Sequence, residues 1–124
     1  MSYQFYQTLH IFGLFILFSS LGAACLHAMN GGTKESNTSR KLVAISHGVG
    51  LFLVLLAGFG LLAKSGKGNP ENWPAYIPIK LGVWLLFGAA LVAFYRKPKW
   101  AKLLWFTLPL VGAFIASMVF FKYP

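Results

Sequence analysis

The sequence predicts an all-α integral membrane protein, an up-down bundle of four helices forming a single domain over residues 1–124. Three observations lead there. Apolar residues make up 57% of the chain and charged residues 10%, where a soluble domain carries about 25% charged residues. Four stretches stay apolar over the roughly 20 residues that a helix needs to cross a bilayer core of about 30 Å. The segments between them are short and polar, with Gly and Pro as breakers, and short connections make consecutive helices antiparallel neighbours.

The first span runs from about Thr8 to Met29, the second from about Lys41 to Ala63, the third from about Tyr76 to Tyr95 and the fourth from about Lys99 to Phe121. Asn30 to Arg40 is a loop containing Gly31-Gly32, and Lys64 to Pro74 is a second loop with Gly66, Gly68, Pro70 and Pro74. Arg96-Lys97-Pro98-Lys99 reads as a tight turn in which Pro98 stops the third helix. Pro109 removes a backbone donor inside the fourth span and should kink it. In the second span, Ser46-His47-Gly48-Val49-Gly50 and Ala57-Gly58-Phe59-Gly60 place small residues where membrane helices can approach closely. The same glycines could instead make room for a flat cofactor.

Eleven Lys and Arg against two acids give a formal charge of +9. In a soluble protein that balance would point to nucleic acid; in a chain of spans it follows from the retention of basic loops in the cytoplasm. Nucleic acid is therefore excluded as a partner, and anionic lipid headgroups are expected to meet these charges. Lys34, Arg40, Lys41, Arg96, Lys97, Lys99 and Lys102 fall at one end of the bundle, and Lys64, Lys67 and Lys122 at the other. The first end is expected in the cytoplasm of a bacterial plasma (inner) membrane, with both termini outside. Tyr3, Tyr6, Trp73, Tyr76 and Tyr123 would then form an outer aromatic belt, with Tyr95 and Trp100 marking the inner one.

The single cysteine, Cys25, excludes an internal disulfide and reads as a small buried residue. Gly22-Ala23-Ala24-Cys25 has the outline of a lipoprotein cleavage box, but no Lys or Arg precedes the apolar stretch as a signal peptide requires. The first span is expected to be retained. Soluble-enzyme motifs are missing from the sequence: there is no phosphate loop, zinc cysteine pair or hydrolase elbow. The acids Glu35 and Glu71 lie in loops at opposite ends, which provides no carboxylate pair for acid–base work and no buried acid to relay protons.

Ionisable groups inside a membrane are costly and are functional candidates by default. Here they are His10, His27, His47 and Lys80. His10 and Lys80 open the first and third spans near the outer end, where the two could meet. Lys80 could snorkel outward or lie against Trp84, four residues on. His27 ends the first span, and His47 lies about two turns into the second. His10 and His47 differ in depth by roughly 20 Å, too far to ligate one iron, whereas His27 and His47 could form a bis-histidine metal pair. Each also has a plain structural reading, as a snorkelling or hydrogen-bonding side chain.

Leu9-His10-Ile11-Phe12-Gly13-Leu14 in the first span, with Ile79-Lys80-Leu81-Gly82-Val83-Trp84 opening the third and Phe94-Tyr95-Arg96 closing it, resembles small four-helix membrane proteins. These are grouped around the HemJ-type protoporphyrinogen oxidase, the SirB-type proteins and the CopD-type copper-resistance domain. The resemblance covers the four-span layout. It implies that His10 and Lys80 are the functional, catalytic pair and that the chain binds haem b. The Ser46-His47-Gly48 segment sits closer to the SirB-like side. The implied activity is membrane oxidoreduction of the HemJ-like type, a redox or porphyrin-related role. In that reading His47 is the first axial ligand, His27 lies opposite it, and His10 with Lys80 forms a second polar site that could hold a propionate. The rival reading is non-enzymatic: an accessory subunit packing its Gly- and Phe-rich faces against a larger membrane complex. A transporter or channel would require a homo-oligomer, because four helices leave little room for a pore.

Overall fold

The computed structural model describes residues 2–66 and 69–120, with side chains as far as Met118. Lys67, Lys122, Tyr123 and the expected end of the fourth span at Phe121 lie outside the described residues. Four α-helices make up the fold: α1 (Tyr3–Met29), α2 (Arg40–Lys64), α3 (Tyr76–Arg96) and α4 (Ala101–Phe120). All four are long and apolar enough to cross a membrane. Short 3₁₀ turns, Pro70–Asn72 and Pro98–Trp100, precede α3 and α4.

Local chemistry sets the ends. α1 begins at Tyr3, earlier than the expected Thr8, because Ser2 caps it by accepting the Phe5 N–H at 3.1 Å. Gly31 and Gly66, just past α1 and α2, take the left-handed backbone (φ +80° and +78°) that commonly ends a helix and is nearly free only for glycine. Pro78 sits in the first turn of α3, where its missing N–H breaks no helical bond. α4 starts at Ala101, after the turn through Pro98–Trp100, and continues through Pro109.

α1 is the organising helix. It packs on α2, α3 and α4, while the backbones of α2 and α4 do not come close to each other among the described residues. Its most extensive face meets α2, where two glycines let the backbones close. A Cβ at Gly13 would lie 2.9 Å from the Leu53 Cβ, and one at Gly50 would lie 2.8 Å from the Leu17 backbone nitrogen. Gly60 faces the Tyr6 ring in the same antiparallel register. Packing of this kind is what drives helix association in lipid, where no hydrophobic force acts between helices.

Further along α1 the same stripe and its flank pack on α3 and α4. Leu17, Ala24 and Cys25 are buried with Phe87 and Phe94 of α3 and Ala101 and Leu108 of α4. Phe18 meets Phe87 edge-on, with ring centroids 5.2 Å apart. The Cys25 thiol is free and buried as expected, donating to the Ala101 carbonyl at 3.0 Å. The outward faces are the reverse of a soluble surface: Phe15, Phe52, Leu85, Phe106 and Leu110 are all exposed. Apolar area on that scale needs lipid or a partner to cover it.

The glycine seam generates a contrast between two neighbours. We expect Gly50→Ala to cost about 1–3 kcal/mol through forced overpacking. Gly48→Ala, whose Cβ would meet nothing within 4 Å, should be neutral or slightly stabilising through helix propensity. Unfolding in mixed detergent–SDS micelles would compare them, and equal losses would refute the close approach.

Candidate functional site

In an apolar interior a side-chain N–H or O–H must find an acceptor, and the carbonyls of neighbouring helices are within reach. The four candidate residues divide on this rule.

His47 is 6% exposed, and its Nε2 lies 3.0 Å from the Phe87 carbonyl of α3. One turn further along α2, the Trp84 indole N–H donates back from α3 to the Leu51 carbonyl at 2.9 Å. The two bonds run in opposite directions between the same helices and form a reciprocal clasp. His27 points elsewhere. Its Nε2 lies 2.7 Å from the Thr33 carbonyl and 3.2 Å from the Ser36 hydroxyl, in the loop before α2. Each ring nitrogen on which a His27–His47 metal pair would draw first is thus engaged with a different element. Among the described residues no three His, Cys, Asp or Glu converge in a metal-binding group.

His10 and Lys80 are brought together. Both line a cavity of about 140 Å³ at the end of the bundle that holds the N-terminus. Its walls are apolar, with Val54, Trp84 and Ile115 among them. His10 Nδ1 lies 3.0 Å from the Val54 carbonyl, and its Nε2 makes no hydrogen bond with any described residue. With Nδ1 protonated to serve that carbonyl, Nε2 carries the lone pair. Gly58 leaves the imidazole room: a Cβ there would be 3.5 Å from His10 Cε1. His10 is also deeper than its place in the sequence suggested, because α1 starts at Tyr3. It meets α2 at Val54 and Gly58, so its separation from His47 along that helix is about 10–16 Å rather than 20.

Lys80 departs from expectation in one respect. Its ammonium lies 5.9 Å from the centre of the Tyr76 ring, whereas Trp84 is occupied by Leu51. Helical side chains lean toward the N-terminus of their helix, so a lysine reaches the residue four before it rather than four after. The lean carries the charge toward the bundle end, in the manner of a snorkelling lysine.

Trp73 was legible only as a belt residue. Its ring packs near Phe59, a residue of the cavity wall, with centroids 6.0 Å apart. Its indole nitrogen is the one buried side-chain N or O without a partner among the described residues. Nothing in the sequence distinguishes that tryptophan from the other three, because the signal is the missing acceptor.

The donor set at His10 and Lys80 fits a ligand with an electrophilic or metal centre and an acidic edge: an imidazole lone pair and an ammonium share one apolar cavity. The cavity is half open, so one ring or edge of a larger ligand would enter it and the rest would project out of it. At His47 only Nδ1 remains uncommitted.

Comparison with known proteins identifies no relative: no family model, curated protein or solved structure matches the chain.

The α2–α3 clasp yields a test. His47→Phe and Trp84→Phe should each cost about 0.6–1.7 kcal/mol, the range for interhelical hydrogen bonds in membranes. A double-mutant cycle read by unfolding in micelles should give a coupling of about 0.5 kcal/mol or more. Strict additivity would show the two bonds to be independent.

Proposed function

We propose that the chain crosses a bacterial inner membrane four times as an up-down bundle and binds a lipid-soluble ring ligand, of the b-type haem or porphyrin class, for a redox or porphyrin-related role. The observation that carries this reading is the pairing of His10 and Lys80 in one apolar cavity between the helices. A lone polar residue there would be explained by helix packing. Two of complementary chemistry, one presenting an imidazole lone pair and the other an amine head, suit a ligand with a matching centre and head.

The roles follow from the atoms. His10, oriented by the Val54 carbonyl, offers Nε2 to the ligand centre. Lys80 offers its ammonium to a carboxylate, and Leu14, Leu81 and Ile115 exclude water around them. Haem, when bound, would supply one-electron chemistry. His47 was the first axial candidate from the sequence; because its Nε2 has the Phe87 carbonyl, the proposal rests on His10. The positive-inside orientation places this cavity in the outer half of the bilayer and His27 at the cytoplasmic side.

The accessory-subunit reading draws on the outer faces of α3 and α4, where Leu85, Phe106, Leu110 and Phe114 are 65, 72, 71 and 63% exposed. A larger membrane partner could cover them as well as lipid does.

A reduced-minus-oxidised visible spectrum in mild detergent, with haem quantified as its pyridine complex, separates the two. We expect a b-type signal near one haem per chain, lost in His10→Ala. Lys80→Met should weaken haem affinity by roughly 10- to 100-fold, the worth of one charge-assisted bond, and His27→Ala should leave the spectrum unchanged. A spectrum kept in His10→Ala but lost in His47→Ala would move the ligand to His47. A colourless preparation after haem addition, with a stoichiometric large partner, would establish the accessory subunit instead.

A further inference from the structure

At the other end of the bundle, the crevice between α2 and α3 widens into a groove of about 360 Å³. Its rim carries three cations: Lys34 from the α1–α2 loop, and Arg40 and Lys41 from the first turn of α2. Its floor is apolar, formed by Ala44 of α2 and Leu91 and Val92 of α3. No acid lines it. Tyr95 closes one side, and its hydroxyl oxygen accepts a bond from the buried Asn37 amide at 3.0 Å. That leaves the Tyr95 hydroxyl hydrogen for another acceptor.

Two further features favour an anion here. Arg40 donates its N–H to Asn37 and Val43 to Ser39, but the N–H groups of Lys41 and Leu42 have no backbone acceptor among the described residues. Ser39, the capping residue, contributes no side-chain bond to them. The positive end of a 25-residue helix therefore adds to three side-chain charges at one spot.

Basic residues above an apolar crevice between membrane helices match one chemistry, an acidic headgroup with acyl chains continuing below it. A soluble anion would have no use for the Ala44–Leu91–Val92 floor, and an acidic protein segment would not follow the crevice into the lipid-facing zone. We propose that this groove is a specific site for one anionic phospholipid. Lys34, Arg40, Lys41 and the Tyr95 hydroxyl hold its phosphate, and one acyl chain lies along Ala44, Leu91 and Val92. The site is independent of the His10–Lys80 cavity at the opposite end, so either proposal can fail alone.

Native mass spectrometry of the full chain tests it, after incubation in micelles with equal amounts of phosphatidylglycerol and phosphatidylcholine. We expect one phosphatidylglycerol retained per chain. Preference for it should fall about 100-fold in the Lys34→Gln/Arg40→Gln/Lys41→Gln triple variant, from three membrane-surface charges at about a kilocalorie each. The triple variant Lys97→Gln/Lys99→Gln/Lys102→Gln, equal in charge change at the same end of the bundle, should keep the lipid. Ala44→Trp, which fills the floor and leaves the charge unchanged, should lose it, and it provides a second reading if the first variant fails to fold. Excess inorganic phosphate should not displace the lipid. Equal losses in both triple variants would reduce the effect to diffuse surface charge and overturn the proposal. Displacement by inorganic phosphate with no effect of Ala44→Trp would reassign the groove to a soluble anion.

Discussion

The close approach of α1 and α2 is the constraint on which the other contacts depend. At Gly13 and Gly50 the two backbones come within the space that a single Cβ would fill. In a bilayer, lipid tails compete equally for apolar side chains, so association needs either better packing or polar contacts that lipid cannot supply. The glycine seam provides the first of these and in doing so aligns the two helices in register. That register carries His10 to the Val54 carbonyl, Tyr6 to Gly60 and Gly58 to the His10 ring. A slip of one residue along α2 would turn the glycines away and leave the His10 imidazole without its acceptor.

Polar side chains supply the second kind of contact, and they are spent sparingly. His47 and Trp84 clasp α2 to α3, Cys25 reaches from α1 to the start of α4, and Asn37 ties the first loop to Tyr95. Most of these bonds end on a main-chain carbonyl, the acceptor available at every turn of a neighbouring helix. The arrangement accounts for two of the four polar residues that stand out in the spans or at their ends. His47 joins helices and His27 closes a loop. His10 Nε2 and the Lys80 ammonium have no hydrogen-bond partner among the described residues, and both residues line one cavity. Those two groups lack partners in a fold where most buried polar atoms find one.

The bundle has two chemically different ends. One holds an apolar cavity with a lone pair and a single buried-side cation; the other has clustered cations over an apolar crevice. On the proposed function, a ligand for the first would be lipid-soluble. The proposed occupant of the second belongs to the leaflet surface. Both sites are lined by residues of α2 and α3, and α2 packs far more closely on α1 than on α3. The loosely packed third helix is what opens space on either side of the His47–Trp84 clasp.

The number of helices, their apolar character and their approximate limits were legible in the sequence alone, because span length and hydropathy are local properties measured against a bilayer of fixed thickness. Thr8 was the main misplaced boundary, since the Ser2 cap extends α1 by more than a turn beyond the apolar run. The ionisable residues were legible too, being rare in such segments. Their roles were not. Whether a histidine is a ligand or a clasp depends on which carbonyl its ring meets, and that is set by the register of a neighbouring helix. Lys80 was expected to snorkel outward or to lie against Trp84; the lean of side chains along a helix carries it to Tyr76 instead. The glycines of α2 read alike, yet Gly50 enables backbone contact, Gly58 makes room for a ring and Gly48 faces open space. Composition determined that this chain consists of four membrane-length helices. Only the tertiary structure decided which polar atoms are satisfied and which are left without a partner, because hydrogen bonds between helices depend on rotations and offsets that no single helix encodes.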